Sequence, residues 1–317
     1  MKVVVLAGGY SPERDVSLSS GCLISNALAE KGHAVVLVDA FLGIEEPAGG
    51  FDSLFKTGSD YINSHYEIPK TPPDLKKLWS ERVPDTGMLI GQNVLKICRE
   101  ADCVFLGLHG SLGENGQIQA VFDLFNIPYT GSGFQGCVLA MDKHLTKQVL
   151  YSAGLPTAPW IWLPDPENAD YEKIIRKIGF PCVIKPARGG SSISIPQTPP
   201  ELRAGIEYAA GMDRELIVEK YVEGREFCVG ILDQKPLPPI EIIPNEGWFD
   251  YEKKYQPGLT REVCPAEISE SLQEALQQTA LKIHQQLDLG YYSRIDFKAK
   301  SNGDFYCLEA NTLPGMT

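Results

Sequence analysis

Polar side chains near the end of the chain have the types and spacing of a metal site. Glu309 and Asn311 stand at alternate positions of an apolar segment, and alternate residues of a β-strand share a face. Asp296 belongs to the preceding apolar segment, so a hairpin would bring its carboxylate to the same face. Two carboxylates and an amide oxygen, without His or Cys, are ligands that Mg²⁺ takes, usually together with nucleotide phosphates. Arg294 adds a fixed positive charge, so the set indicates phosphoryl transfer. For each residue alone, an acidic end of an exposed strand is the plainer alternative.

The elements that must position these side chains can be predicted from hydrophobic periodicity. The hairpin is predicted at 293–297 and 305–311, and apolar runs and helical spacing predict the other elements. The predicted strands are 3–6, 34–38, 103–108, 160–163, 182–184, 215–219, 226–232 and 240–243. The predicted helices are 16–30, 74–79, 117–125, 143–153, 171–178 and one within 270–287. This alternation predicts an α/β protein with mixed layers.

The composition is typical of an ordinary globular protein, and the net charge argues against one class of partner. Of 317 residues, 43% are hydrophobic and 22% are charged, which suits two or three domains with ample core. The net charge of −12 argues against nucleic acid, because duplex binding needs a basic face. No apolar run approaches the ~20 residues that span a bilayer, and the apolar start is too short for a signal peptide. Eight scattered cysteines without a C-x-x-C pair predict buried free thiols in the reducing cytoplasm.

The run 185–192 follows a predicted strand and could bind phosphate. Its glycines and small hydroxyl residues, which include Ser191 and Ser192, let backbone N–H groups approach phosphate oxygens, and Lys185 supplies charge. The Walker pattern is absent, and no G-x-G-x-x-G follows the first strand. Taken alone, this run is more typical of a plain hairpin turn than of a phosphate-binding loop.

Two further segments could belong to a nucleotide site. The stretch from Glu219 to Glu226 could offer backbone groups to an adenine and a carboxylate to ribose hydroxyls. The same sequence is equally typical of two ordinary strands joined by a turn, without any ligand. The aromatic residues of 249–255 interrupt a polar loop, which is typical of lids that exclude water. A loop simply anchored by its aromatic residues is the alternative.

Two polar residues follow early strands. Glu13 precedes the first predicted helix, where a carboxylate is usually a partner of the helix dipole. His109 lies just past a predicted strand end, which is where parallel α/β sheets bind ligands. We therefore single out His109 among the five histidines.

Taken jointly, these segments resemble the D-alanine–D-alanine ligases of the ATP-grasp superfamily. The resemblance covers nearly the whole chain apart from an irregular stretch at about 41–100. Its most specific pieces, in chain order, are 13–17, 109–116, 141–143, 185–192 and 309–317. It implies an ATP-grasp fold preceded by a parallel α/β domain. We expect an N-terminal substrate-binding domain at 1–132 with the insertion 41–100, a central ATP-grasp subdomain at 133–220 and a C-terminal one at 221–317.

The resemblance implies a nucleotide and metal site between the last two parts. ATP would be held by Lys143, Lys185, Ser192, Glu219, the backbone near Lys220 and Val222, Glu226 and, when the lid shuts, Lys254. Two Mg²⁺ ions, for which Mn²⁺ could substitute, would be bound by Asp296, Glu309 and Asn311.

The resemblance also implies a reaction. ATP phosphorylates the carboxylate of one D-alanine, and the amine of a second attacks the acyl phosphate, which supplies a peptidoglycan precursor. Glu13 would hold the first ammonium group in a triad with Ser191 and Tyr255, and His109 would line the pocket. Arg294 and the Gly315 N–H would stabilise the tetrahedral oxyanion. A cytoplasmic homodimer is expected, without nucleic-acid or membrane partners.

Some positions depart from the family pattern. Gly189 and Ser194 stand where the phosphate loop commonly has an acidic residue and a glycine, and Phe249 stands where tyrosine is common. Lys298 and Cys307 occupy positions that are usually aliphatic, which we attribute to local packing. The ending at Thr317 suggests a truncated chain, so the second substrate's subsite cannot be read.

Three alternatives stay open on the sequence alone. D-serine could be the second substrate, although Tyr255 resembles the dipeptide-forming branch. Another ATP-grasp carboxylate–amine ligase could join a different acid and amine. A non-catalytic nucleotide-binding regulator is disfavoured, because such a sensor need not keep Arg294.

Overall fold

The computed structural model describes residues 1–57, 60–61, 64–69, 71–82, 87–189, 193–244 and 260–315. The chain forms two compact units, one of Met1–Cys137 with Thr312–Thr317 and one of Val138–Asn311. None of the helices in these described ranges has the length and apolar composition of a bilayer-spanning segment.

The first unit is built on a parallel sheet of three strands. The strands β1 (Lys2–Ala7), β2 (Ala34–Asp39) and β3 (Cys103–Leu106) lie in the order β2-β1-β3. Strand β1 is almost wholly buried, as expected for a central parallel strand covered on both faces. The helices of this unit are α1 (Arg14–Glu30), α2 (Leu75–Glu81), α3 (Val94–Glu100), α4 (Ser111–Glu114) and α5 (Gln117–Leu124), and α6 (Phe134–Met141) contains the boundary between the units.

Helix α1 lies very close to the central strand. A Cβ atom at Gly21, in the middle of this helix, would lie 2.5 Å from the Cβ atom of Ala7. Glycine is therefore required there by the close approach of helix and strand, despite its low helix propensity.

The second unit contains two antiparallel sheets. The smaller has the order β4 (Trp160–Leu163), β6 (Leu216–Lys220), β5 (Cys182–Pro186) and is covered by α8 (Tyr171–Lys177) and α9 (Pro199–Ala210). The larger has the order β10 (Thr260–Val263), β9 (Ile240–Pro244), β7 (Arg225–Leu232), β11 (Tyr292–Ala299), β12 (Phe305–Asn311), with β8 (Lys235–Pro236) paired to β7. Helices α7 (Lys143–Ser152) and α10 (Glu270–Gln286) pack on the larger sheet around a core that includes Phe227, Ile283 and Phe297.

Each predicted strand and helix is present, with ends shifted by a few residues. Among the described residues, the elements that periodicity did not predict are α3, α4, α6, α9, the short 3₁₀ helices Phe51–Leu54 and Pro166–Asn168, and the short strands β8 and β10. Helix α9 begins with two prolines and contains Gly205, whose missing Cβ would lie 2.6 Å from the Cδ1 atom of Ile184. Proline and glycine signal a turn in sequence, whereas here they suit a first helical turn and a tight contact with β5.

Candidate active site

The predicted hairpin brings four of the predicted site residues together. In the β11–β12 pairing, Arg294 lies opposite Asn311 and Asp296 lies opposite Glu309. Arg294 Nε and Nη2 donate to Asp296 Oδ1 and Oδ2, each at 2.8 Å. Asn311 Nδ2 donates to Asp296 Oδ2 at 3.1 Å. A forked ion pair of this kind fixes both planar groups, so Asp296 is held rigidly at the centre of this face.

A β-bulge decides which residues of β12 face this site. The register shifts between Asp296 and Phe297, so that Cys307 lies opposite Phe297 and Leu308 has no partner. Cys307 is consequently buried in the core of the unit, whereas Glu309, two residues later, lies on the face of Asp296.

The face is rich in carboxylates that influence one another. Glu226 on β7 lies opposite Lys298 on β11, and their charged groups are 3.4 Å apart. Burial raises the pKa of the Glu226 carboxyl above its usual value, Lys298 opposes this, and the charges of Asp296 and Glu309 add to it. For Arg294, burial opposes ionisation, but the adjacent Asp296 outweighs it and holds the pKa of the guanidinium above its usual value. Two cations thus stand among three carboxylates, and the excess charge is negative.

The donor set on this face suits Mg²⁺. Asp296 and Glu309 offer hard carboxylate oxygens on paired strands, and the Asn311 amide oxygen accepts no hydrogen bond from any described residue. Over the described ranges, no group of three or more His, Cys, Asp and Glu side chains is placed to hold a metal by itself. The residues therefore fit an ion whose remaining ligands come from water and phosphate, which is how Mg²⁺ is commonly bound.

A buried carboxylate between two lysines forms a second part of the site. Glu219 on β6 pairs with Lys185 on β5 through Oε1, and with Lys147 on α7 through Oε2 at 2.7 Å. Burial alone would raise the pKa of Glu219, but the two lysines outweigh it and lower the pKa to about 2. Burial disfavours the charged form of Lys185, but Glu219 outweighs it and raises the pKa of this lysine, with Glu309 and Glu226 contributing. The two parts of the site therefore share one electrostatic environment.

Sequence reasoning missed Lys147. Lys143 and Lys147 are one helical turn apart on α7 and both are buried, with 7% and 3% of their surface exposed. The signal that could have found Lys147 is this spacing, since two lysines on the buried face of an amphipathic helix need nearby partners.

The start of α7 is tied to the predicted phosphate loop. The Lys143 backbone N–H donates to Ala187 O at 2.8 Å, and its ammonium group donates to Gly189 O. Asp142 caps the helix by accepting from Leu145 N, and it also accepts from Arg188 Nε at 3.0 Å. These contacts place Lys143 beside the loop that follows β5.

The remaining predicted nucleotide residues lie at the end of β6. Lys220 is exposed and Val222 is buried. The Lys220 N–H donates to Pro159 O at 2.9 Å, and the Tyr221 N–H donates to Pro181 O at 3.2 Å. These bonds fix the backbone path from Glu219 to Val222.

The first unit brings together Glu13, His109 and the segment that contains Gly315. Gly110 has a φ of +79°, and a Cβ atom there would collide with Glu13 Oε2, so the Glu13 carboxylate lies against the turn after His109. The His109 ring bonds Leu313 O through Nδ1 and Ser20 Oγ through Nε2, each at 3.2 Å. Because a carbonyl only accepts, Nδ1 carries the proton, and in the neutral ring Nε2 accepts from the Ser20 hydroxyl.

Four predicted site residues lie outside the described residues. These are Ser191, Ser192, Lys254 and Tyr255. The predicted lid at 249–255 lies outside them too, so its role stays a prediction.

Comparison with known proteins places the chain in a family. A family model described as the D-ala D-ala ligase N-terminus matches residues 2–132, and one described as the D-ala D-ala ligase C-terminus matches residues 149–317. A D-alanine–D-alanine ligase of Pediococcus pentosaceus is 41% identical over 324 aligned residues, covering 100% of this chain and 90% of that protein. One of Lacticaseibacillus casei is 38% identical over 323 residues, covering 100% and 88%.

Solved structures agree with these matches. The crystal structure of a Bacillus anthracis D-alanine–D-alanine ligase complexed with ATP superposes with a TM-score of 0.74 at 27% identity, covering 100% of this chain and 88% of that one. The fold is thus the ATP-grasp fold that the resemblance implied. The chain belongs to the D-alanine–D-alanine ligase family.

Proposed function

We propose that this protein joins two D-alanines to D-alanyl-D-alanine, with ATP as the energy source and with ADP and phosphate as the other products. The observation that carries the proposal is the charged face of β11 and β12, where Arg294 and Asp296 form a fork opposite Glu309 and Asn311. Membership of the ligase family supports the same chemistry. The product is a precursor of peptidoglycan.

The reaction begins with phosphoryl transfer. A carboxylate oxygen of the first D-alanine attacks the γ-phosphorus of ATP, the bond to ADP breaks, and an acyl phosphate forms. Phosphoryl transfer depends mainly on positioning and on spread positive charge. Lys143 and Lys185 are the buried cations that suit the phosphates, and Lys254 and Ser192 are proposed to join them. Glu219, Glu226 and the backbone from Lys220 to Val222 are proposed to hold the adenosine.

The second step forms the peptide bond. The amine of the second D-alanine attacks the acyl carbon, loses a proton, and phosphate leaves with the oxygen that it gained. Arg294, held by Asp296, and the Gly315 N–H are proposed to stabilise the oxyanion, as preorganised donors do at acyl-transfer sites. Glu13 is proposed to hold the ammonium group of the first substrate, with His109 beside it and with Ser191 and Tyr255 completing the triad.

Asp296, Glu309 and Asn311 are the residues that would hold two Mg²⁺ ions, or Mn²⁺ in their place. When bound, such ions neutralise charge on the transferring phosphates. Burial raises the pKa of Glu226 and the negative charges of Asp296 and Glu309 add to it, and this negative excess supports the assignment.

The wider organisation of the protein is also a proposal. Residues 1–132 would bind substrate, and 133–220 and 221–317 would hold ATP between them. We further propose a homodimer in the cytoplasm that acts on small molecules. The net charge of −12 supports only the exclusion of nucleic acid as a partner.

The proposal is tested by coupled ADP release from the purified protein, with ATP, Mg²⁺ and single amino acids. D-Alanine should give turnover and a dipeptide product, and L-alanine should give neither. No turnover, or equal turnover with the two enantiomers, would contradict the proposal. A mixture of D-alanine and D-serine reports in the same assay which amino acid enters the second position.

A further inference from the structure

The ammonium group of Lys147 contacts three groups of the protein. It lies 2.7 Å from Glu219 Oε2, 2.9 Å from Thr157 Oγ1 and 3.2 Å from Ala158 O. Thr157 Oγ1 and Ala158 O accept hydrogen bonds from this group, and Glu219 Oε2 pairs with it through charge. With 3% of its surface exposed, Lys147 cannot turn to a phosphate without breaking buried bonds.

The ammonium group of Lys185 has fewer partners than that of Lys147 among the described residues. Among the described residues, Glu219 Oε1 is the acceptor for its ammonium group, which leaves two N–H donors for a ligand. Lys185 and Lys147 thus divide one carboxylate between them, with one oxygen each. A buried carboxylate with a single counter-ion holds that ion tightly, because losing it would leave an uncompensated buried charge.

We propose that Lys147 is a positioning residue of the nucleotide site, which fixes and neutralises Glu219 so that Lys185 is released to bind a nucleotide phosphate. Without Lys147, Glu219 would need Lys185 as its only counter-ion, and phosphate would have to compete with it. The inference rests on the proposed use of ATP.

The surroundings of Lys147 support a role in the site. The segment that supplies its other acceptors pairs with the site hairpin, since Thr157 bridges to Cys307 and the Cys307 N–H donates to Pro156 O at 2.9 Å. Cys307 precedes the bulge that presents Glu309 to the site. One ammonium group therefore joins α7, β6 and the segment beside β12.

The test is the affinity for ATP of Lys147→Met, measured by calorimetry with and without Glu219→Gln. The substitution keeps the length and apolar stem of the side chain and removes its charge. In the protein that retains Glu219, we expect the Kd of ATP to rise about tenfold or more. In the protein that already carries Glu219→Gln, the same change should alter Kd less than about threefold, because no carboxylate remains to capture Lys185. A purely structural lysine would give equal ratios in both backgrounds or no change in Kd, and either result would overturn the inference.

Thr146→Val is the matched control. Thr146 lies next to Lys147 on α7, is equally buried, and its hydroxyl donates to Leu139 O rather than to the site. Its loss should lower the melting temperature and leave the Kd of ATP unchanged. An equal loss of ATP affinity here would attribute the Lys147→Met effect to packing and overturn the inference.

If Lys147→Met does not fold, Lys147→Gln decides in its place, because it removes the charge beside Glu219 and keeps an N–H donor for Thr157 Oγ1 and Ala158 O. A rise in Kd that Glu219→Gln suppresses is expected, and an unchanged Kd would overturn the inference. The wild-type titration separates the two hypotheses: a wild type that does not bind ATP contradicts the proposed function, whereas binding that is insensitive to these variants contradicts only the role of Lys147.

Discussion

Cys307 and Glu309 are two residues apart on β12, yet their side chains lie on opposite faces of the sheet. The bulge at Leu308 causes this, since Cys307 pairs with Phe297 in the core and Glu309 pairs with Asp296 at the site. Strand β12 thereby places the Cys307 thiol in the core and the Glu309 carboxylate on the opposite face, beside Asp296. The site residues Glu309 and Asn311 then follow ordinary alternation to the end of the strand.

Gly110→Ala should damage substrate binding specifically. The new Cβ atom would displace the Glu13 carboxylate, so the KM for D-alanine should rise about tenfold while the Kd of ATP stays within about twofold. Gly154→Ala is the control, since Gly154 also has a positive φ, of +67°, but has no atom within 4 Å of the added Cβ. Both variants should lose about 1–2 kcal/mol of stability through backbone strain. A raised KM in both, or in neither, would contradict the placement of Glu13 in the substrate site.

Arg294→Ala should abolish ligation without preventing nucleotide binding. Loss of an oxyanion-stabilising donor typically costs about 10²–10³ in kcat. Steady-state kinetics and ATP calorimetry on the same preparation measure the two effects separately. Arg261, exposed on β10, is the control, and Arg261→Ala should leave kcat unchanged. If Arg294→Ala lost ATP affinity in proportion to activity, Arg294 would belong to the nucleotide site instead.

Glu219→Gln should destabilise the protein in a pH-dependent way. The folded-state pKa of Glu219, about 2, lies below the ordinary value of 4.5, so the ionised group adds stability above about pH 4.5 and loses it as pH falls toward 2. We expect Glu219→Gln to cost about 3 kcal/mol at pH 7, because it leaves two buried lysines uncompensated.

That cost should shrink by about 1.4 kcal/mol per pH unit below pH 4.5, as denaturant unfolding at several pH values would reveal. Glu223→Gln, at an exposed position, should change the free energy of unfolding by less than about 0.5 kcal/mol throughout. A Glu219→Gln cost that does not vary with pH would show that the carboxylate is not stabilised by its lysines.

Cys264 should be the fast-reacting thiol of the native protein. All eight cysteines are free, and Cys264 is exposed, contrary to the expectation that the thiols are buried. Burial raises the pKa to about 12 at Cys98, Cys137, Cys228 and Cys307. At pH 8 such thiols have almost no thiolate, so they should not react with iodoacetamide within minutes. Mass spectrometry should find Cys264 modified first, and Cys264→Ser should remove the fast phase; a fast phase that persists in this variant would be inconsistent with the buried thiols.

Much of the fold follows from local patterns that tertiary structure leaves intact. The run Lys2–Ala7 is strongly apolar and the run Arg294–Ala299 alternates charged and apolar residues, so packing only confirms what these patterns indicate. The facing of Asp296, Glu309 and Asn311 could be predicted as well, because alternation holds over the last three residues of β12.

The rest depended on contacts that no local pattern encodes. The bulge at Leu308 depends on how β12 pairs with β11. Gly205 predicts a break in a helix, and only its close contact with Ile184 explains why a helix continues through it. Lys147 was missed because its importance comes from Glu219 and Thr157, which lie elsewhere in the chain. The two ion pairs of Glu219, with Lys147 and with Lys185, join residues far apart in the sequence, so only the three-dimensional structure shows them.

The central claim is that a D-alanine carboxylate is activated by phosphoryl transfer from ATP. Its most direct test is the reaction of D-alanine labelled with ¹⁸O in both carboxylate oxygens, followed by mass spectrometry of the products. We predict that each turnover transfers one ¹⁸O atom to inorganic phosphate and leaves one in the new peptide carbonyl. Unlabelled phosphate, released at the same rate as the dipeptide, would contradict the acyl phosphate route.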